Sequence, residues 1–223
     1  MDTPTQKKWD RAARNFDLMS AYGPEWRWKP AKQRVFAHMK PDANILFLAL
    51  GTGLDIGCFP PGCTITAIDI SPKMVKKAEP RVAAYPGEMS AQVMDVHDME
   101  FSDGSFDQVF TSCTFCSVPR PVEGLKMLLR VLKPGGELHM FEHTGSRIFP
   151  FNVMMNLMTP LTRLVGPELN RDTVANVRIA GFDIAAVNNI FLDMVKTIHA
   201  VKPAAPAPTH PTGESAINAP TEK

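Results

Sequence analysis

The feature that most constrains this chain is an ordered alternation. Short β-type runs at Asn44–Leu50, Cys63–Ile70, Ser90–Asp95, Phe106–Ser112 and Glu137–His143 are separated by stretches with helical periodicity. Strands that recur with helices between them pair in parallel, because a parallel pair needs a long crossover and a helix supplies it. The alternation predicts a doubly wound, Rossmann-like α/β fold with a mostly parallel sheet, and a weaker run near Ile190–Ala200 adds a further strand. Two crossovers are legible in detail. Ser71 followed by Pro72 reads as an N-cap and first helical position, and Val122–Leu132 carries apolar residues at helical spacing until Lys133-Pro134-Gly135-Gly136 ends it.

Ligands of such sheets bind outside the carboxyl ends of the strands, so the residues that follow each run are the candidates. Ala49-Leu50-Gly51-Thr52-Gly53 follows the first, a glycine bend that lets backbone approach a ligand. A dinucleotide fingerprint needs a third glycine three positions after Gly53. Ile56 stands there and the next glycine is Gly57, which argues against NAD. The second run ends in Asp69, placed to accept hydrogen bonds from both ribose hydroxyls of a nucleoside. The third ends in Met94-Asp95-Val96-His97-Asp98, where Asp95 is placed to accept from an adenine amino group.

With Phe101-Ser102-Asp103-Gly104-Ser105-Phe106-Asp107, Thr111–Val118 and Arg130-Val131-Leu132-Lys133-Pro134-Gly135-Gly136 added, the sequence resembles the class I S-adenosylmethionine-dependent methyltransferases. The resemblance is to the quinone-methylating type and, through Thr114-Phe115-Cys116-Ser117-Val118 and Phe141-Glu142-His143, to its phospholipid-amine and alkyl-thiol relatives. It runs from Asn44 to His143, and more loosely to Trp9-Asp10, Phe16-Asp17 and Ala180-Gly181-Phe182. It implies S-adenosylmethionine as cofactor, with Gly51, Thr52 and Gly53 facing the methionyl part, Asp69 and Ile70 at the ribose, Asp95 and Val96 at the adenine, and Cys113 and Thr114 beneath the sulfonium. The chain departs from the family pattern twice: Phe47 stands where an acidic residue is usual, and Ala49 where the first glycine is usual.

Methyl transfer from a sulfonium is an in-line displacement that alignment in a water-poor pocket accelerates, so no triad is required. His143, at the end of the fifth run beside Glu142, is the candidate general base, and His97 a weaker one. The expected acceptor is small and apolar: a phospholipid amine, an alkyl thiol or a quinone-like ring. A non-catalytic module that binds S-adenosylmethionine or another nucleotide is the alternative that Phe47 and Ala49 motivate.

Three segments flank this core. Residues 1–40 are expected to form a helical cover, with aromatic residues Trp9, Phe16, Tyr22, Trp26, Trp28 and Phe36; residues 41–201 form the binding domain, and the Pro-, Ala- and Thr-rich 202–223 a disordered tail. The Met-rich Arg147–Val165, broken by Pro150 and Pro160, is expected to contact the acceptor or the surface of a membrane. A formal net charge of +1 gives no global field for nucleic acid, so no nucleic-acid partner is expected. With no signal-peptide core and no span-length apolar run, a cytoplasmic and at most membrane-peripheral protein is expected. Cys58, Cys63, Cys113 and Cys116 read as buried reduced thiols, with no metal site.

Overall fold

The computed structural model describes residues 1–18, 25–164 and 166–204; Tyr22, Val165 and the segment 205–223 lie outside them, as does the Trp26 side chain. The elements are α1 (Thr3–Ala12), α2 (Glu25–Phe36), β1 (Asn44–Leu48), β2 (Thr64–Asp69), α3 (Pro72–Ala83), β3 (Glu88–Val93), β4 (Phe106–Ser112), α4 (Pro121–Val131), β5 (Leu132–His143), α5 (Phe151–Thr162), α6 (Thr173–Ile179), β6 (Asp183–Phe191) and β7 (Val195–Val201). Seven strands form one sheet in the order β3-β2-β1-β4-β5-β7-β6. The first five pair in parallel, while β7 runs antiparallel to both β5 and β6.

Alternation along the central strands sorts their side chains into two cores. Ile45, Phe47, Ile65, Phe110 and Phe141 face a layer built with Ala31, Val35 and Phe36 of α2 and Ala78 of α3. Leu46, Leu48, Ile68, Val109, Leu138 and Met140 face the opposite layer with Leu125, Leu128 and Val131 of α4 and Val177 of α6. The helices thus cover both faces. Ser71 caps α3 as the sequence predicts, its hydroxyl accepting from the Met74 amide at 3.1 Å with Pro72 at the first position.

Several boundaries differ from expectation. The weak run near Ile190–Ala200 is a hairpin, β6 and β7, whose turn places Leu192 at φ 47 with no glycine to advertise it. Pro160 does not break α5, which carries it inside the helix. β5 is counted from Leu132, so the Lys133-Pro134-Gly135-Gly136 segment lies within the ladder's irregular start, not in a loop. α2 is structural as well as a cover: Phe36 is fully buried and its ring meets Phe47, Phe59 and Phe110. Trp28 packs on Phe141 and Phe191, whereas Trp9 and Phe16 lie at the cavity described next.

Candidate active site

A cavity of about 310 Å3 opens at the carboxyl ends of β1, β2 and β4, within the range of small-molecule pockets. Of the residues singled out in the sequence, Gly51, Thr52, Asp69, Ile70, Asp95, Val96, Cys113 and Thr114 line it together. Gly53 does not. At φ 82 it opens a 3-10 turn over Leu54–Cys58, and an added Cβ would lie 3.0 Å from Ile56 Cδ1 and 3.3 Å from the Ala78 Cβ, so its role is packing against α3.

Asp69 is buried and oriented by backbone: its Oδ2 accepts from the Gly51 amide and its Oδ1 from the Ser71 amide, each at 2.8 Å. Burial raises its pKa, against the pull of these two amides. One carboxylate therefore ties the glycine bend to the end of β2. Asp95 is held similarly: Oδ1 accepts from the His97 amide and ring, and Oδ2 from the Asp2 amide at 2.7 Å. Burial pushes the Asp95 pKa up, but the amides of His97 and Asp2 and the His97 ring outweigh it and the net shift is downward.

The amino-terminal segment reaches the ends of three successive strands. Its Asp2 amide meets Asp95, its Asp10 carboxylate accepts from Ser71 Oγ at 2.6 Å, and its Asp17 carboxylate accepts from Thr52 Oγ1 at 2.5 Å and from Arg81 at 3.0 Å. Spacings of eight and seven residues carry one chain across β3, β2 and β1 in turn. Trp9 and Phe16 of this segment form an apolar wall of the cavity.

The lining residues that the sequence did not single out include an ion pair. Lys32 of α2 pairs with Asp55 at 2.9 Å, with both side chains largely buried at the edge of the cavity. A lysine inside an amphipathic helix and an aspartate in a short turn carry no local signal that they meet.

The floor is the loop that follows β4. Cys113 adopts φ 51 and, contrary to the expectation of a buried thiol, is exposed. Protein surrounds it, and the exposure is to the cavity that it lines. Burial among these groups pushes its pKa well up, which keeps the sulfur a poor nucleophile at neutral pH. Cys58 is likewise only half-buried. Beneath the loop, fully buried Glu142 accepts from Thr111 Oγ1 at 2.8 Å and from the Thr114 and Phe115 amides, both at 3.1 Å. Arg171 braces the same loop from the other side, donating to the Phe115 and Val118 carbonyls and pairing with Glu168 at 2.8 Å.

Burial raises the Glu142 pKa to about 7 despite these donors. A native pKa above the unfolded value means that the folded state keeps a proton which the unfolded state releases. The stabilising contribution is thus complete below pH 4.5 and is lost as pH rises through 7. Glu142→Gln is expected to be less stable at acid pH, because its amide must face one of the donors, yet to show a flatter melting temperature between pH 5 and 7. Thermal melts across that interval check this, and parallel curves for the two proteins would contradict it.

His143 lies outside the cavity lining. Its ring is half-buried, Nδ1 has no hydrogen-bond partner among the described residues, and burial lowers its pKa. His97 lines the cavity but has Nδ1 at 2.8 Å from Asp95 and Nε2 at 3.1 Å from the Arg120 carbonyl, so neither nitrogen is open to a substrate. Phe47 is fully buried in the core under α2, whereas Ala49 lines the cavity at φ 59, a left-handed conformation that costs a non-glycine residue about 1 kcal/mol.

Comparison with known proteins finds methyltransferases. A methyltransferase domain model matches residues 46–140. The ubiquinone/menaquinone biosynthesis C-methyltransferase of Geotalea daltonii is 32% identical over 155 residues, 66% of either chain. The thiol S-methyltransferase TMT1B of Rattus norvegicus is 29% identical over 168 residues, 68% of this chain and 67% of that one. The matches thus span about two thirds of these relatives' lengths. Among solved structures, a Haemonchus contortus phosphoethanolamine N-methyltransferase bound to S-adenosylhomocysteine superposes with a TM-score of 0.70 at 18% identity, covering 89% of this chain and 60% of that one.

Proposed function

The chain belongs to the S-adenosylmethionine-dependent methyltransferases, and from that premise we propose that it methylates a small apolar acceptor carrying an acidic nucleophile, an alkyl thiol or a quinol-like ring. The observation that carries this reading is the single cavity into which the glycine bend, Asp69, Asp95 and the Cys113–Thr114 floor all open. In it, Asp69 accepts from the ribose hydroxyls, Asp95 and the Val96 backbone address the adenine, and Gly51 and Thr52 lie along the methionyl part. Lys32 and Asp55 form an opposed pair of charges matched to an α-carboxylate and an α-ammonium, in a chain whose usual motif carboxylate is replaced by Phe47.

The bound cofactor supplies an electrophilic methyl group; the protein's share is alignment and exclusion of water. Trp9, Phe16 and Val118 keep the cavity apolar, and the clamps at Asp2, Asp10 and Asp17 hold the amino-terminal segment across it. No imidazole nitrogen in the lining is open to a substrate among the described residues. A thiol, with a pKa of about 8.5 against about 10 for a phenol and about 10.4 for an ammonium, has the most easily shed proton of the three and so suits a lining without an open imidazole best. Incubation with labelled S-adenosylmethionine and either an alkyl thiol or a quinol tests this. Labelled methyl thioether or methylated ring is expected, and cofactor binding without transfer to any acceptor would favour the non-catalytic alternative.

The reading extends to where the acceptor comes from. α5 has no charged residue and turns its apolar side chains outward: Phe149 just before it is 77% exposed, Leu157 76% and Leu161 65%. Gly166 beyond the helix lies against the Trp9 indole, and Pro167 lines the cavity. The helix therefore flanks the mouth. Beside it, Lys8 of α1 donates to the Arg163 carbonyl at 2.9 Å, with Lys7, Arg11 and Arg14 exposed nearby in sequence. Residues 1–40 hold nine Lys and Arg against four Asp and Glu, whereas the rest of the chain holds fifteen against nineteen. No described helix is long and apolar enough to cross a membrane, and an apolar helix beside a basic one suits an anionic lipid surface. Co-sedimentation with phosphatidylserine-containing vesicles is expected, and Leu157→Asp with Leu161→Asp is expected to weaken it at least roughly tenfold by removing two exposed aliphatic groups that enter the lipid. Equal sedimentation of the double variant would remove α5 from the contact.

A further inference from the structure

Away from the cavity, β5 and β7 bring three ligand-type side chains to one point. Glu137 and His139 lie two residues apart on β5 and so share a face of the sheet, and His199 stands directly opposite His139 on antiparallel β7. His139 Nε2 is 3.5 Å from Glu137 Oε2, His199 Nε2 is 4.0 Å from Glu137 Oε1, and one ligand atom from each of the three residues lies within 4.8 Å of the others. His199 Nε2 is buried and has no hydrogen-bond partner among the described residues, so the cluster as it stands leaves one nitrogen unsatisfied. We propose that Glu137, His139 and His199 form a binding site for a divalent ion of the zinc type, separate from the methyl-transfer cavity.

The donor set is that of a borderline cation: two imidazoles and a carboxylate. Glu137, His139 and His199 carry no local metal-ligand signature in sequence, and strand pairing is what assembles them. Glu137 is already oriented by outer partners. Gln108 Nε2 at 2.7 Å and Lys40 Nζ at 3.1 Å both donate to Oε2, which leaves Oε1 toward His199. The imidazoles stand upright in a stack across three strands, His139 lying 4.8 Å from the Phe110 ring and 4.4 Å from His199, with His38 stacked on His139 at 5.2 Å. A tetrahedral zinc site has bonds of about 2.1 Å and so places its ligand atoms roughly 3.4 Å apart. Closure therefore tilts the two rings out of parallel and moves the ligand atoms by about 1 Å. His199, with about a third of its side chain exposed, has room to tilt. Glu137 also borders a second cavity, of about 280 Å3 and lined by Lys40, Asp107 and Lys133, which gives water access to the open fourth position.

The test uses the full chain, free of any affinity tag and treated with chelator. Zinc is titrated by calorimetry, and cobalt by absorption. One equivalent is expected to bind and to raise the melting temperature, and cobalt is expected to give visible d–d bands without the near-ultraviolet band of a thiolate ligand. His199→Gln is expected to weaken binding about 100-fold or more while leaving the metal-free melt little changed. Should that variant unfold, Glu137→Gln serves as the second probe, with the zinc-induced melting shift as readout. Absence of stoichiometric binding, a thiolate band, or affinity unchanged in a folded variant would each overturn the proposal.

Discussion

Asp69→Ala is expected to weaken S-adenosylmethionine binding by about 1.5–3 kcal/mol, roughly ten- to a hundredfold, through loss of charge-assisted hydrogen bonds to the ribose. The same change removes the acceptor of two amides, those of Gly51 and Ser71. It therefore loosens the glycine bend and the start of α3 as well as the ligand contact, and a loss of stability of about 2 kcal/mol accompanies the loss of affinity. Asp69→Asn separates the two effects. Its remaining carbonyl keeps one amide while its amide group faces the other, so it is expected to retain more stability than alanine yet still bind the donor weakly. Calorimetry with S-adenosylmethionine and thermal melts of the two variants measure both quantities. Full affinity in either folded variant would take the ribose contact away from Asp69.

Arg171→Ala is expected to be the more damaging change to the fold. Its guanidinium is buried, donates to two carbonyls of the loop that floors the cavity and pairs with Glu168. It also opposes the burial-driven rise of the Glu142 pKa, and Glu142 holds the same loop through its amides. Its removal leaves the two carbonyls without this donor and Glu168 with Arg163 alone, at 3.0 Å, a loss of about 3 kcal/mol and a fall in melting temperature of roughly 10 °C for a chain of this size. Turnover is expected to fall further than donor affinity, because the loop that shifts floors the cavity beneath the proposed sulfonium, where alignment for transfer is set. A melting temperature within about 2 °C of the parent protein would show that the brace contributes little.

Much of the cavity lining was legible because it depends on strand ends, and strand ends are written locally: a glycine bend after β1, an aspartate closing β2 and another just beyond β3. The parallel order follows from the alternation of runs, and Ser71-Pro72 marks its helix with side-chain chemistry that needs no tertiary context. What escaped is whatever two distant elements make together. Lys32 and Asp55 are 23 residues apart, on a helix and a turn that meet only in the folded chain. The clamps at Asp10 and Asp17 look in sequence like solvated charges on a helical segment, and their partners Ser71 and Thr52 lie 61 and 35 residues away. Gly53 and Gly51 look alike in the motif, yet one opens toward the cavity and the other toward α3, a difference set by the packing of Ile56 and Ala78. His143 follows Glu142 on β5, and alternation along the strand turns the two side chains to opposite faces, a matter of register that strand recognition alone does not fix. The β6–β7 hairpin was blurred because β6 is largely exposed and so lacks the apolar run that announced the buried strands.

The central claim is that adenosine lies across the carboxyl edge of the sheet between Asp69 and Asp95. A crystal structure with S-adenosylhomocysteine tests it most directly. Ribose hydroxyls are expected within about 3 Å of the Asp69 carboxylate and the adenine amino group within the same distance of Asp95. A nucleoside bound elsewhere, or this cavity still empty at saturating ligand, would contradict it.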